Sequence, residues 1–158
     1  MASAWRLSSP DYATRLDGKG NVLRGARWNS PGRGVVYTSL NLSLAVLESL
    51  VQLPADLRGN LPLVTAVRID VPNDLAHEEI TREQLPDDLA SPVAAARFRE
   101  LGDAWLVAER SIALVVPSVI VPQEQNVLIN PAHPLMERIQ IVSAEPFRFD
   151  PRLTVAKE

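Results

Sequence analysis

One carboxylate stands alone in an apolar stretch. From Gly34 to Ala55 the chain reads GVVYTSLNLSLAVLESLVQLPA, and Glu48 is its only charged residue. Burying an ionised group is costly unless it is paired or hydrogen-bonded. Glu48 is therefore either a helix-edge carboxylate reaching water or an arginine, or a functional group in the wall of a cleft. Upstream, Arg24 and Arg27 stand among Gly, Asn and Ser. An arginine in such a loop is either a solvated charge or a planar fork offered to a phosphate or carboxylate. Ser118, in Val-Pro-Ser-Val-Ile, reads first as a break in an apolar strand, its hydroxyl bonding the backbone. A nucleophilic serine would need a base, and His77 and His133, the only histidines, lie in no context that suggests one, which disfavours a serine hydrolase. Two histidines are also too few for a histidine-rich metal site. Asn126 and Asn130 flank a short β-rich run, where Asn-Pro has an ordinary role as a strand end. The spacing of Gly18, Gly20 and Gly25 matches neither a phosphate loop nor a dinucleotide fingerprint. Together the residue types suit an anionic ligand with a polar sugar: arginine for phosphate, tyrosine for stacking, and carboxylate, serine and asparagine for hydroxyls.

The elements that must position these groups follow from patterning. Ala4 to Leu7 reads as a short first strand carrying Trp5 and Arg6. Residues 8–34 lack sustained periodicity yet hold Tyr12, Leu16, Val22, Leu23 and Trp28, so they form a long structured loop, of a kind that is often functional. Val35 to Ser39 is β-branched and aromatic and predicts a strand. Leu40 to Leu53, with leucine or valine at 40, 44, 47 and 51, predicts a helix. Leu61 to Val71 alternates and predicts a strand with one better-buried face. Residues 72–91 are polar and proline-punctuated, with room for one helical turn. Ser91-Pro92 starts a helix expected to end at Leu101 with Gly102 as its C-cap, and Asp103 to open a second short helix through Glu109. Short strands are expected at Ile112 to Val116, resuming at Val119 to Val121, then at Asn126 to Ile129 and Ile139 to Phe147. Several strands with about three helices, not regularly alternating, predict an α+β fold with a mixed sheet core.

Bulk properties narrow the classes. The chain has 158 residues, enough for one domain with a sizeable core. A net charge of −3 and a pI of about 5.4 disfavour direct nucleic-acid binding. Cysteine is absent, which excludes a disulfide framework and fits a reducing, cytoplasmic setting. The opening residues lack a signal-peptide core, and no apolar run reaches the ~18 residues of a membrane span. Thirteen prolines argue against a helical bundle.

Several segments, in order and across nearly the whole chain, resemble one family. They are Trp5-Arg6-Leu7, GARWNSPG (25–32), VVYTS (35–39), AVLE (45–48), GDAWL (102–106), LVVPSVIVPQEQNVLINPAHP (114–134) and FRFDPRL (147–153). They are similar to the RES-domain toxins of bacterial RES–Xre toxin–antitoxin systems, the piece from 114 to 134 being the most specific. The resemblance implies one RES-like domain over 1–153 with an exposed tail at 154–158, a fold similar to ADP-ribosyltransferases, and NAD as substrate. Cleavage would fall at the nicotinamide–ribose bond by hydrolysis or phosphorolysis, inorganic phosphate being the co-substrate of the second and no metal being needed. ADP-ribosylation of a specific host protein is the alternative, and a silent binding module is a third reading. The family's arginine, glutamate and serine fall on Arg27, Glu48 and Ser118 as catalytic residues, with Arg6, Tyr37 and Asn126 binding substrate. The implied partner is an Xre-type helix-turn-helix antitoxin, which would carry any DNA binding itself; a homodimer within the complex is compatible with this picture. Two departures stand out: Ala26 replaces a glycine common in relatives, and Leu7 stands where some carry an aromatic residue.

Overall fold

The computed structural model describes residues 3–57 and 59–154. Seven strands form one mixed sheet: β1 (Ser3–Ser8), β2 (Val36–Ser39), β3 (Val64–Asp70), β4 (His77–Glu79), β5 (Ala113–Pro117), β6 (Gln125–Ile129) and β7 (Gln140–Phe147). Their order is β4-β5-β6-β2-β1-β3-β7, and every pairing is antiparallel except β4 with β5. Two α-helices, α1 (Leu42–Gln52) and α2 (Pro92–Ala108), accompany it. This is the expected α+β single domain, with two α-helices and several 3-10 turns among the described residues rather than about three helices.

Strand alternation builds two cores. On β5, Ala113 and Val115 pack to one face with Val67, Ile69, Val127 and Ile129. Leu114 and Val116 pack to the other with Leu128, Trp28 and residues of α2, as a period of two requires. Helix α2 buries Ala94, Phe98, Gly102, Trp105 and Leu106, one helical stripe. Burying a side chain such as Phe98 contributes roughly 1.5–3 kcal/mol. Ser91 caps α2, its hydroxyl accepting from the Ala94 N–H at 3.1 Å, with Pro92 in the first turn.

Three expectations need correction. Gly102 does not end a helix: α2 runs unbroken to Ala108, and its left-handed cap is Glu109 (φ 50°). A β-carbon at Gly102 would lie 1.8 Å from the Trp28 carbonyl oxygen, so the glycine permits close approach of the loop rather than termination. Residues 72–91 contain β4, whose polar residues His77, Glu78 and Glu79 carry no alternating signal because it is an edge strand. Val119 to Val121 is not a resumed strand but part of a turn, with Ser118 N–H donating to the Glu124 carbonyl at 2.9 Å. The helix expected from positions 40, 44, 47 and 51 is α1, with Leu44 buried and Leu47 and Val51 38% and 51% exposed. Of the tail expected at 154–158, Thr154 is half-buried and residues 155–158 lie outside the described residues.

One feature of the sheet creates the site. β1 and β3 pair along six positions, but β1 and β2 pair only at Trp5 with Ser39. Beyond that pair the two strands part, and a cleft opens in the fork.

Candidate active site

The cleft has a volume of about 530 Å³ and reaches Arg6, Arg27, Tyr37, Glu48 and Asn126. A smaller recess of about 140 Å³ shares Arg6, Tyr37, Glu48 and Asn126 with it. A larger depression of about 730 Å³ lies elsewhere, beside Asn60 and Arg148, but its carboxylate, Asp150, is engaged by Arg152 at 2.8 Å. Only the fork between β1 and β2 gathers the residues singled out from the sequence.

Glu48 projects from α1, which begins immediately after β2. Asn41 caps this helix, its side-chain oxygen accepting from the Leu44 N–H at 2.8 Å. The half-buried carboxylate is held on one side only. Its Oε1 accepts from Ser118 Oγ at 2.9 Å and from Asn126 Nδ2 at 2.6 Å. Asn126 is itself oriented by Ser39, whose hydroxyl donates to its Oδ1 at 2.7 Å. Oε2 has no hydrogen-bond partner among the described residues and remains available to a ligand. α1, β2, β6 and the turn after β5 thus converge on one carboxylate oxygen.

Ser118, expected among the catalytic residues, is fully buried. Its hydroxyl donates to Glu48 and accepts from the N–H groups of Ile120 and Val121, both at 3.1 Å. It thus holds Glu48 and closes the turn that ends β5. Neither histidine lines the cleft: His77 is exposed on β4, and His133 Nδ1 accepts from the Leu135 N–H. Asn130 makes a turn contact to the Ala132 N–H, as an Asn-Pro strand end should.

The opposite wall is the loop from 25 to 32. Ala26 and Asn29 bond each other's backbones, so Arg27 and Trp28 form the tip of a tight turn. Trp28 turns inward onto Phe98 with ring centroids 4.8 Å apart, and Arg27 turns outward, its guanidinium 5.5 Å above the same Phe98 ring. Gly25 has φ 69°, and a β-carbon there would meet the Asn29 carbonyl at 2.4 Å, so this position requires glycine. Ala26 has no positive φ, so alanine fits here without backbone strain. Arg24 is exposed and does not line the cleft.

Asn29 holds this wall from within. It is fully buried and donates to the Arg33 carbonyl at 2.7 Å and to Asn21 Oδ1 at 3.2 Å. Asn21 in turn bonds both backbone groups of Val35. The Tyr37 hydroxyl donates to Asn29 Oδ1 and accepts from the Trp28 N–H at 3.0 Å. Burial pushes the Tyr37 phenol up to about 12, so it stays protonated and keeps donating; its ring, not its hydroxyl, is what the cleft receives. From α2, Asp103 accepts from both the N–H (2.9 Å) and the hydroxyl of Ser30. The sequence reading did not identify Asn21, Asn29, Ser30, Ser39 or Asp103. The signal available for Asn29, Ser30 and Asp103 was their place inside the GARWNSPG and GDAWL segments.

Arg6 lines the cleft and also braces the chain around it. Its Nη2 lies within hydrogen-bond reach of the carbonyls of Tyr12, Ala13 and Arg15, tying the loop after β1 to the strand. Its Nε is buried without a partner, and burial lowers the pKa of the guanidinium. Two further cations, Arg15 and Lys19, reach the cleft mouth, Arg15 being paired with Asp17 at 3.4 Å. Among the described residues no group of three or more His, Cys, Asp or Glu is placed to hold a metal ion, and no helix is long and apolar enough to cross a membrane.

Comparison with known proteins gives the family of the chain that carries this cleft. The family model described as RES domain matches residues 3–150. A protein of Sphingobium sp. named Prs ADP-ribosylating toxin is 38% identical over 157 residues, 96% of each chain. A protein of Photorhabdus laumondii named Toxin Res is 38% identical over 98% of each chain. The fold is similar to a chain in the crystal structure of the M. tuberculosis MbcT–MbcA toxin–antitoxin complex, with a TM-score of 0.72 and 18% identity over 96% of this chain and 86% of the other. With the model spanning nearly every described residue and relatives matching end to end, this chain belongs to the RES domain family.

Proposed function

We propose that this protein is the toxin of a toxin–antitoxin pair and that it cleaves NAD at the nicotinamide–ribose bond. The observation that carries this reading is Glu48, fixed through Oε1 by Ser118 and Asn126 with Oε2 unpartnered, in a cleft whose other wall carries Arg27. The C1′–N bond breaks with both its electrons going to the pyridinium nitrogen, so nicotinamide leaves neutral and the ribose carbon acquires oxocarbenium character. Glycosyl transfer in general passes through such a state. Nicotinamide is a good leaving group, so a general acid is not essential; orientation and a fixed negative charge beside the developing cation are. Glu48 Oε2 supplies that charge and takes a ribose hydroxyl. The Tyr37 ring stacks on the nicotinamide or ribose, and Arg27 holds the diphosphate. Water attacking C1′ gives ADP-ribose and a proton; phosphate gives ADP-ribose 1″-phosphate.

The test is to supply NAD to the purified protein with and without inorganic phosphate and follow nicotinamide and the sugar product. NAD left intact by folded protein under both conditions would sink the reading. Transfer of ADP-ribose to a protein is the second reading, favoured by the name of the Sphingobium relative; label from NAD appearing on a protein of a cell extract would select it. An NAD-consuming enzyme endangers its own cell, so the cleft needs a cognate inhibitor. The structural neighbour, a toxin crystallised with its antitoxin, supports an antitoxin in that role; the Xre type rests on the family resemblance. Coexpression of the neighbouring gene product should abolish NAD loss.

A further inference from the structure

The cationic side of the cleft continues past Arg27. A depression of about 380 Å³ adjoins it, lined by Ala26, Arg27, Ala95, Ala96 and Arg99; Ala26 and Arg27 also line the main cleft. Three alanine methyls and two guanidiniums make an unusual surface, because two like charges at one small depression repel unless something anionic joins them. Nothing in the described residues does. Arg27 and Arg99, like several other arginines, are in no ion pair among the described residues, but they are the two that share one depression. The acids nearest Arg99 on its own helix are already engaged. Glu100 is taken by Arg97 at 3.1 Å. Asp103, one turn further along α2, has both carboxylate oxygens on Ser30. The stacking of Arg27 over Phe98, the residue before Arg99, holds it toward the same part of α2.

We propose that Arg27 and Arg99 form a two-arginine subsite for the diphosphate of the dinucleotide, Arg99 being a second diphosphate ligand. This rests on the NAD reading above and extends the binding wall from the loop onto α2. Two planar forks suit two adjacent phosphates, each guanidinium offering paired N–H donors to one group. Arg6 is the weaker candidate for this work, since its Nη2 already holds three carbonyls.

The experiment uses the full chain carrying Glu48→Gln, so that ligand is not consumed, with ADP-ribose and ADP titrated by calorimetry. Adding Arg99→Gln should weaken both ligands about tenfold, the loss expected for one charge-assisted hydrogen-bonding group. Adding Arg97→Gln instead removes the same charge from the same helix, but from an arginine already paired with Glu100, and should change affinity less than twofold. In the active enzyme Arg99→Gln should raise KM for NAD with kcat unchanged; Arg99 is exposed, so the melting temperature should not move. Unchanged affinity in the Arg99 variant overturns the subsite, as does an equal loss in the Arg97 variant, which would reduce the effect to a general field. A Glu48→Gln parent that binds neither ligand, together with wild-type protein that leaves NAD intact, overturns the NAD reading itself.

Discussion

The two walls of the cleft are built by opposite means. On the sheet side, buried Ser118 and Ser39 and half-buried Asn126, from separate elements, fix a carboxylate through direct and relayed hydrogen bonds. On the loop side, the fixed part is the backbone: Asn29, Tyr37 and Asp103 hold the turn, and Arg27 itself is an exposed side chain resting on Phe98. A group that must sit beside a developing charge gains from rigid placement, because its contribution depends on not having to reorganise. A group that binds a diphosphate needs reach and can settle on its ligand as the ligand arrives. On the proposed chemistry, the sheet wall should govern kcat and the loop wall KM.

The sharpest way to break that division is Glu48→Gln, which should lower nicotinamide release by on the order of a hundredfold or more with circular dichroism unchanged. An active variant would make the carboxylate structural. Gly102→Ala tests the loop wall from behind. A methyl 1.8 Å from the Trp28 carbonyl must push the loop off α2, an overpacking cost of about 1–3 kcal/mol or more, read as a lowered urea midpoint. Ser118→Ala should lower kcat by about tenfold by loosening Glu48 and leave the Ile120 and Val121 N–H groups without their acceptor, a stability loss of about 1–3 kcal/mol; an unchanged KM would separate it from the loop wall. Asp103→Asn keeps one acceptor for Ser30 and removes the charge. It should cost about 1 kcal/mol in positioning, seen as KM raised about fivefold at constant kcat.

The smallest effect concerns Tyr37. Its folded pKa of about 12 lies above the ordinary value near 10, because burial disfavours the phenolate. The folded chain therefore holds this proton longer than the unfolded one. The associated stabilisation is whole below about pH 10 and is lost as pH rises through about 12. An ultraviolet phenolate titration should show one tyrosine ionising late in the native protein, and Tyr37→Phe should remove that late step.

Legibility in the sequence followed the local signals. β2 and α1 could be read from β-branched composition and the 40, 44, 47, 51 spacing, and α2's start from Ser91-Pro92, since capping and periodicity are short-range. α2's end was misread at Gly102 because a glycine that terminates a helix and one that admits a neighbouring backbone look alike until the neighbour, Trp28, is in place. β4 escaped because a short polar edge strand has no buried face to reveal it. Glu48, Arg27, Tyr37 and Asn126 all line one cleft, whereas Ser118 does not line it and reaches it only through its hydrogen bond to Glu48.

The sequence by itself determined the class of elements, the lone carboxylate in its apolar stretch, the arginine in a glycine-flanked loop, and membership of a family through motifs spread over the chain. Tertiary structure alone decided where β1 leaves β2, which oxygen of Glu48 is held and which is free, and that Arg6 grips its own loop while Arg27 and Arg99 line one depression. The physical reason is distance along the chain: Glu48 meets Ser118 and Asn126 across 70 and 78 residues, and Ser30 meets Asp103 across 73. Propensity and periodicity act within a turn or a strand, so contacts of that span exist only once the sheet has closed.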